Sequence, residues 1–147
     1  NLSAAFHAIA ASLPHMRQAD FGRIINIASV HGLVASAQKG AYVAAKHGLV
    51  GLSKTVALET ATQNITCNAI CPGWVRTPLV EAQITARADK TGRTITDEVR
   101  LLVAEKQPSE RFVTPEEIAD MVLFLASDKA GSITGSQFVM DGGWTAQ

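Results

Sequence analysis

Two short apolar runs constrain this chain most: Arg23-Ile24-Ile25-Asn26-Ile27-Ala28 and Asn64-Ile65-Thr66-Cys67-Asn68-Ala69-Ile70-Cys71. Both are nearly continuous, as strands are when a sheet is covered on its two faces. Gly40 to about Ala61, between them, reads as one long helix. Strand, helix, strand is the unit of a parallel sheet, because parallel neighbours need a crossover connection.

The rest of the chain continues this alternation. Leu2, Phe6, Ile9, Leu13 and Met16 recur at helical spacing, with Ala5 and Ala10 in the same stripe. Pro14 is expected to kink or end that helix. Asp20-Phe21-Gly22 is a turn, Ser29 to Lys39 a loop, and Pro72-Gly73 stops the second strand. Residues 78–88 and 95–106 read as two short helices outside the main layers. An excursion of this length is expected to act as a lid over a substrate. Thr114-Pro115-Glu116-Glu117 is a helix start with cap, first-turn proline and reciprocal glutamate, and that helix runs to about Ser127. Ser136 to Met140 is a last strand, followed by Asp141-Gly142-Gly143. The expected fold is therefore α/β, a Rossmann-like doubly wound parallel sheet, with residues 1–147 forming part of a single domain. Three strands leave an open edge. Further strands are expected N-terminal to Asn1, making this the C-terminal half.

The Gly40–Ala61 helix is apolar nearly all round, which predicts burial on several sides and contact with a second subunit. Apolar residues make up 47% of the chain and charged residues 18%, in keeping with covered surfaces. The 13 basic and 13 acidic residues cancel, so no field favours nucleic acid or an anionic membrane. No window approaches the roughly 18 apolar residues of a spanning helix. With no basic leader, a cytoplasmic protein is expected. Cys67 and Cys71 read as reduced core residues: on one strand face they stand about 13 Å apart, too far for a disulfide. No second ligand pair accompanies them, so no metal is expected.

The chemistry lies between the strands. Tyr42 and Lys46 are four residues apart and share a helix face. An ammonium one turn from a phenol favours the phenolate and suits it to proton transfer. In a doubly wound sheet, function gathers where strands end. Ser29 ends the first strand, Pro72-Gly73 ends the second, and Tyr42 and Lys46 open the helix between them.

With Asn1 heading the first helix, the strand Ile24-Ile25-Asn26-Ile27-Ala28-Ser29, Tyr42-x-x-x-Lys46, Asn68-Ala69-Ile70-Cys71-Pro72-Gly73 and the closing Asp141-Gly142-Gly143, the chain resembles the C-terminal half of a short-chain dehydrogenase/reductase. The resemblance covers essentially its whole length. It implies that Ser29 holds the substrate oxygen and that Tyr42 is the general acid/base. Lys46 assists Tyr42 and binds the nicotinamide ribose, and Asn1 positions a relay water. It further implies NAD as cofactor, with Pro72, Gly73, Val75 and Thr77 along its nicotinamide half, and a homotetramer. The Gly-rich dinucleotide turn and the acidic residue for the adenosine ribose are absent from this sequence and are expected upstream of Asn1.

Within the family, further stretches resemble the members that interconvert D-3-hydroxybutyrate and acetoacetate. They are Ser29 to Val34, Cys67 to Val75, Thr77 to Val80, Glu105-Lys106-Gln107-Pro108-Ser109 and Met140 to Gln147. This implies that His31, Lys39 and Gln83 hold the substrate carboxylate, and that Trp74 and Trp144 wall the apolar side of the pocket. An anion entering a partly dry site needs such donors and a compensating charge. The alternatives are a reductase of another 3-oxo substrate, such as a 3-oxoacyl thioester, and a non-catalytic dinucleotide-binding scaffold. A 147-residue polypeptide of this sequence is expected neither to bind cofactor tightly nor to be a stable monomer.

Overall fold

The computed structural model describes residues 1–146. Strands β1 (Gly22–Ile27), β2 (Ile65–Pro72) and β3 (Gln137–Met140) form one parallel sheet in the order β1-β2-β3. Ile24 pairs with Cys67, Ile27 with Ile70, and Ile70 with Phe138. Helix α1 (Ser3–Ala19) precedes β1, and α2 (Gly40–Glu59) crosses from β1 to β2. Helices α3 (Pro78–Thr91), α4 (Ile95–Ala104) and α5 (Pro115–Ala126) connect β2 to β3.

The central strand β2 is buried at every position, as its nearly continuous apolar run predicts. Its side chains alternate between two cores. Ile65 and Cys67 pack with Ile9, Ile24, Val56 and Ala57, on the side of α1 and α2. Ala69 and Cys71 continue that face against Leu49 and Val50. Ile70 points the other way, into a cluster with Leu125, Ala130 and partly buried residues of α5 and β3. Both cysteines are buried and unbridged. Burial pushes the Cys67 thiol up to about 11 and the Cys71 thiol in the same direction, so both stay protonated at neutral pH.

One expectation about a helix needs correction. Helix α1 neither ends nor breaks at Pro14 but runs on to Ala19. Ile9 is buried on one side of the proline, and Leu13 and Met16 pack against the same core on the other, so tertiary contacts hold the helix across the lost hydrogen bond. It stops at Asp20, whose left-handed backbone returns N–H bonds to Arg17 and Met16. Within this chain, helix α2 is covered on one side, which leaves its other apolar side open to the expected second subunit. Lys46, Leu49, Val50, Ser53, Val56 and Ala57 are buried, while Ala41, Ala44, Gly51 and Leu58 lie exposed, Leu58 at 80%.

Helices α3 and α4 pack on each other around their own cluster of Val80, Ile84 and Leu102, with Trp74, Val99 and Phe112 at its edge. Thr77 caps α3, Thr94 caps α4, and a reciprocal capping box of Thr114 and Glu117 opens α5. Among the described residues, no helix is long and apolar enough to cross a membrane.

Candidate active site

A cavity of about 620 Å³ opens where the carboxyl ends of β1 and β2 meet the start of α2. Ile27, Ala28 and Ser29 enter it from β1, Tyr42 and Lys46 from α2, and Pro72, Gly73, Trp74 and Val75 from the end of β2. Thr77, Leu79, Val80 and Gln83 of the α3 region, together with Ile118 and Trp144, complete the wall. His31 and Lys39 reach it from the loop between β1 and α2. Every site residue expected from the sequence lines this cavity except Asn1, which is exposed at the head of α1.

Local structure explains how each group arrives. The chain turns sharply after β1 through a single 3-10 turn, Val30–Gly32, capped by Ser29. Ser29 Oγ accepts the His31 backbone N–H at 3.2 Å, which leaves the hydroxyl proton free. Gly32 is required here: a Cβ would lie 2.9 Å from the Lys46 carbonyl oxygen and from Val50 Cγ2. Gln38, with φ of 63°, takes the left-handed conformation immediately before Lys39.

His31 is only 5% exposed. Its Nε2 lies 2.9 Å from Ser36 Oγ, and its ring meets Tyr42 and Trp144 edge-on at 5.7 and 5.4 Å between centroids. Burial, then the charges of Lys39 and His47, hold its pKa below the ordinary histidine value, so the imidazole is neutral at neutral pH. Lys46 is buried, and its Nζ donates to the Ile27 carbonyl at 2.8 Å. Burial lowers its pKa, partly offset by Cys71. The same ammonium stands 5.7 Å from the centre of the Tyr42 ring. Lys39 Nζ stands 5.6 Å from the Trp74 ring centre, and Trp74 stacks with Trp144 at 6.4 Å. Thr77 serves α3 as its cap, accepting the Val80 N–H at 3.4 Å.

Lys46 uses one of its three N–H groups on Ile27, leaving two for an adjacent diol. The cavity floor beside it is the bare backbone around Pro72 and Gly73. A buried ammonium beside exposed peptide suits the ribose and flat ring of a dinucleotide.

Reading the residues in order did not give roles to three groups. Asp141 accepts the Gly143 N–H, the Thr145 N–H and the Thr145 hydroxyl, and so shapes the turn that carries Trp144. Asp-Gly-Gly announces such a turn. Glu98 lies in the first turn of α4. It is fully buried, bonded by Thr91 and ion-paired to Arg87 and Arg93. Those partners, Thr91 foremost, hold its pKa below the ordinary carboxylate value. Gln107 is also fully buried, and nothing in its spacing signals this.

Comparison with known proteins gives the same reading of the chain. The family described as enoyl-(acyl carrier protein) reductase matches residues 1–145. The D-beta-hydroxybutyrate dehydrogenase of Cupriavidus necator is 58% identical over the whole chain, and that of Rhizobium meliloti is 54% identical. The chain spans 57% of the length of each. Among solved structures, 4-hydroxyisoleucine dehydrogenase complexed with NADH superposes with a TM-score of 0.86 at 37% identity, over 99% of this chain and 56% of that one. Levodione reductase also gives 0.86, at 33% identity over 99% of this chain and 55% of that one. A shared sheet, a Tyr-x-x-x-Lys helix at its edge and matches of this extent lead to one statement: the chain belongs to the short-chain dehydrogenase/reductase family.

Proposed function

We propose that this chain supplies the acid/base and substrate-binding half of an NAD-linked dehydrogenase that interconverts D-3-hydroxybutyrate and acetoacetate. One observation carries the reading. A single cavity combines Ser29, Tyr42 and Lys46 with a cation, an amide and a neutral imidazole at Lys39, Gln83 and His31. The first three suit an alcohol or ketone, and the second three suit a carboxylate a short distance away. The two relatives named for D-beta-hydroxybutyrate lend support.

In oxidation, Tyr42 takes the hydroxyl proton of the substrate and in reduction returns it. Ser29 donates its free hydroxyl proton to the same oxygen. Lys46 faces negative charge that appears on the phenol oxygen and offers its remaining N–H groups to the ribose. Pro72, Gly73, Val75 and Thr77 would hold the nicotinamide half of NAD, which would supply the hydride chemistry. Asn1 is the outlying member of this proposed relay. Trp74 and Trp144 exclude water from the apolar side, and α3 and α4 serve as a lid carrying Gln83. A homo-oligomer, a tetramer in the resemblance, is part of the reading. The exposed Phe6 and Leu58 on α1 and α2 support it.

The test uses the full-length protein. Tyr42→Phe should lower turnover of D-3-hydroxybutyrate by roughly 10² to 10⁴-fold while NADH binding persists. Lys39→Ala should raise the KM for the acid by roughly 10 to 100-fold without changing the Kd for NADH. Undiminished turnover in the first variant, or equal effects on acid and cofactor in the second, would sink the assignment. A second reading is reduction of a 3-oxoacyl thioester; the matching family is described for a different acyl thioester, an enoyl-(acyl carrier protein). A thioester has no free carboxylate for Lys39 to meet, and the paired assay with such a substrate separates the two.

A further inference from the structure

The stretch Glu105-Lys106-Gln107-Pro108-Ser109 has no part in the proposed chemistry, yet its central side chain is among the most enclosed in the molecule. Gln107 has no exposed surface. Its Oε1 accepts the backbone N–H of Trp74 at 3.0 Å, and its Nε2 donates to the Arg111 carbonyl. Its own peptide group is also used: the N–H bonds Val103, and the carbonyl accepts from Glu110, both at 2.9 Å.

The surroundings are built to admit it. A Cβ at Gly73 would sit 2.5 Å from Gln107 Oε1, and one at Gly142 would sit 2.8 Å from its Cγ. Gly73 and Gly142 belong to the loops that leave β2 and β3, and these loops carry Trp74 and Trp144. Ser109 N–H donates to the Gly142 carbonyl at 3.0 Å, and Gly73 N–H to the Met140 carbonyl at 2.9 Å. The end of the α3–α4 excursion is thus wedged between the two loops, with Gln107 holding Trp74 by its backbone.

We propose that Gln107 is a positioning residue that sets substrate chain length by fixing Trp74 against Trp144. This rests on the reading of the cavity as a short hydroxy-acid site. The stacked indoles form part of the cavity wall. Buried side-chain amides that merely satisfy peptide groups are common, and such a role would change stability alone. A positioning role also changes what the wall excludes. Without the Oε1 bond, the Trp74 peptide N–H loses its partner in the interior, and the loop must shift to satisfy it.

The experiment compares Gln107→Leu with wild type in the full-length protein. The first readout needs no substrate: the circular-dichroism couplet of the stacked indoles, isolated as the difference from Trp74→Phe. Gln107→Leu should lose the couplet while keeping its far-ultraviolet spectrum. The second readout is discrimination between 3-hydroxybutyrate and 3-hydroxyhexanoate in kcat/KM. It should fall roughly tenfold through the KM of the shorter acid, as expected for displacement of a wall by about 1 Å. In a Trp74→Ala background, the substitution should add nothing further. If Gln107→Leu does not fold, Gln107→Glu decides the matter, since it keeps the acceptor for Trp74 and should keep the couplet. A couplet intact in Gln107→Leu, one lost in Gln107→Glu, or additive effects with Trp74→Ala would overturn the proposal. A wild-type protein inactive on both acids, but with the couplet behaving as described, would overturn the substrate reading and leave the indole-positioning role standing.

Discussion

A histidine ring buried among aromatic neighbours and one hydroxyl responds to pH through its fold. His31 titrates below its ordinary value because burial, and then Lys39 and His47, oppose its charge. The unfolded chain therefore binds this proton at higher pH than the folded one. The His31 contribution to stability is complete above about pH 6.5, the ordinary value, and is lost as pH falls through the lower folded value. Urea midpoints measured from pH 7.5 down to pH 5 should fall, and His31→Gln should flatten part of that slope. An unchanged slope in the variant would remove His31 as the cause. Tyr42 and Lys46 could be read from the sequence because their spacing alone sets them on one helix face. The enclosure of His31 could not, because it depends on Trp144, far along the chain.

Among the elements, those with local causes were legible and those with tertiary causes were not. Thr114, Pro115 and Glu117 define the start of α5 by chemistry within four residues, and the capping box is present. Thr114→Ala should cost about 1 kcal/mol of unfolding free energy in chemical denaturation. A loss below a few tenths would mean that packing of Leu125 and its neighbours, not the cap, secures this helix. The two apolar runs announced β1 and β2 for a comparable reason, since a strand covered on both faces is apolar at most of its positions. Pro14 misled because its local effect is real but is outweighed by Ile9, Leu13 and Met16 on one core. Glu98 gives no local signal of its burial. Its charge looks solvated until Thr91, Arg87 and Arg93 close around it.

At the scale of the molecule, the sheet has three strands, and among the described residues β1 pairs on one side only. Phe6, Leu58 and Val139 stand exposed on one face of the sheet, and Leu123 and Phe124, on α5, on the other. Isolated apolar residues at a surface are ordinary, but two groups on separate faces are a liability. A 147-residue polypeptide of this sequence should sediment as oligomers or aggregates, and Leu58→Glu with Leu123→Glu should shift it toward smaller species. A monodisperse monomer of the unsubstituted polypeptide would contradict this. The cavity has a further consequence, one of timing. Ser29, His31, Tyr42 and Lys46 are synthesised before β2 and β3, whereas Trp144, which touches the His31 ring, comes after both. A ribosome thus delivers the acid/base group long before the wall that shelters it, and a chain released ahead of Trp144 has all three strands and an open, wet site.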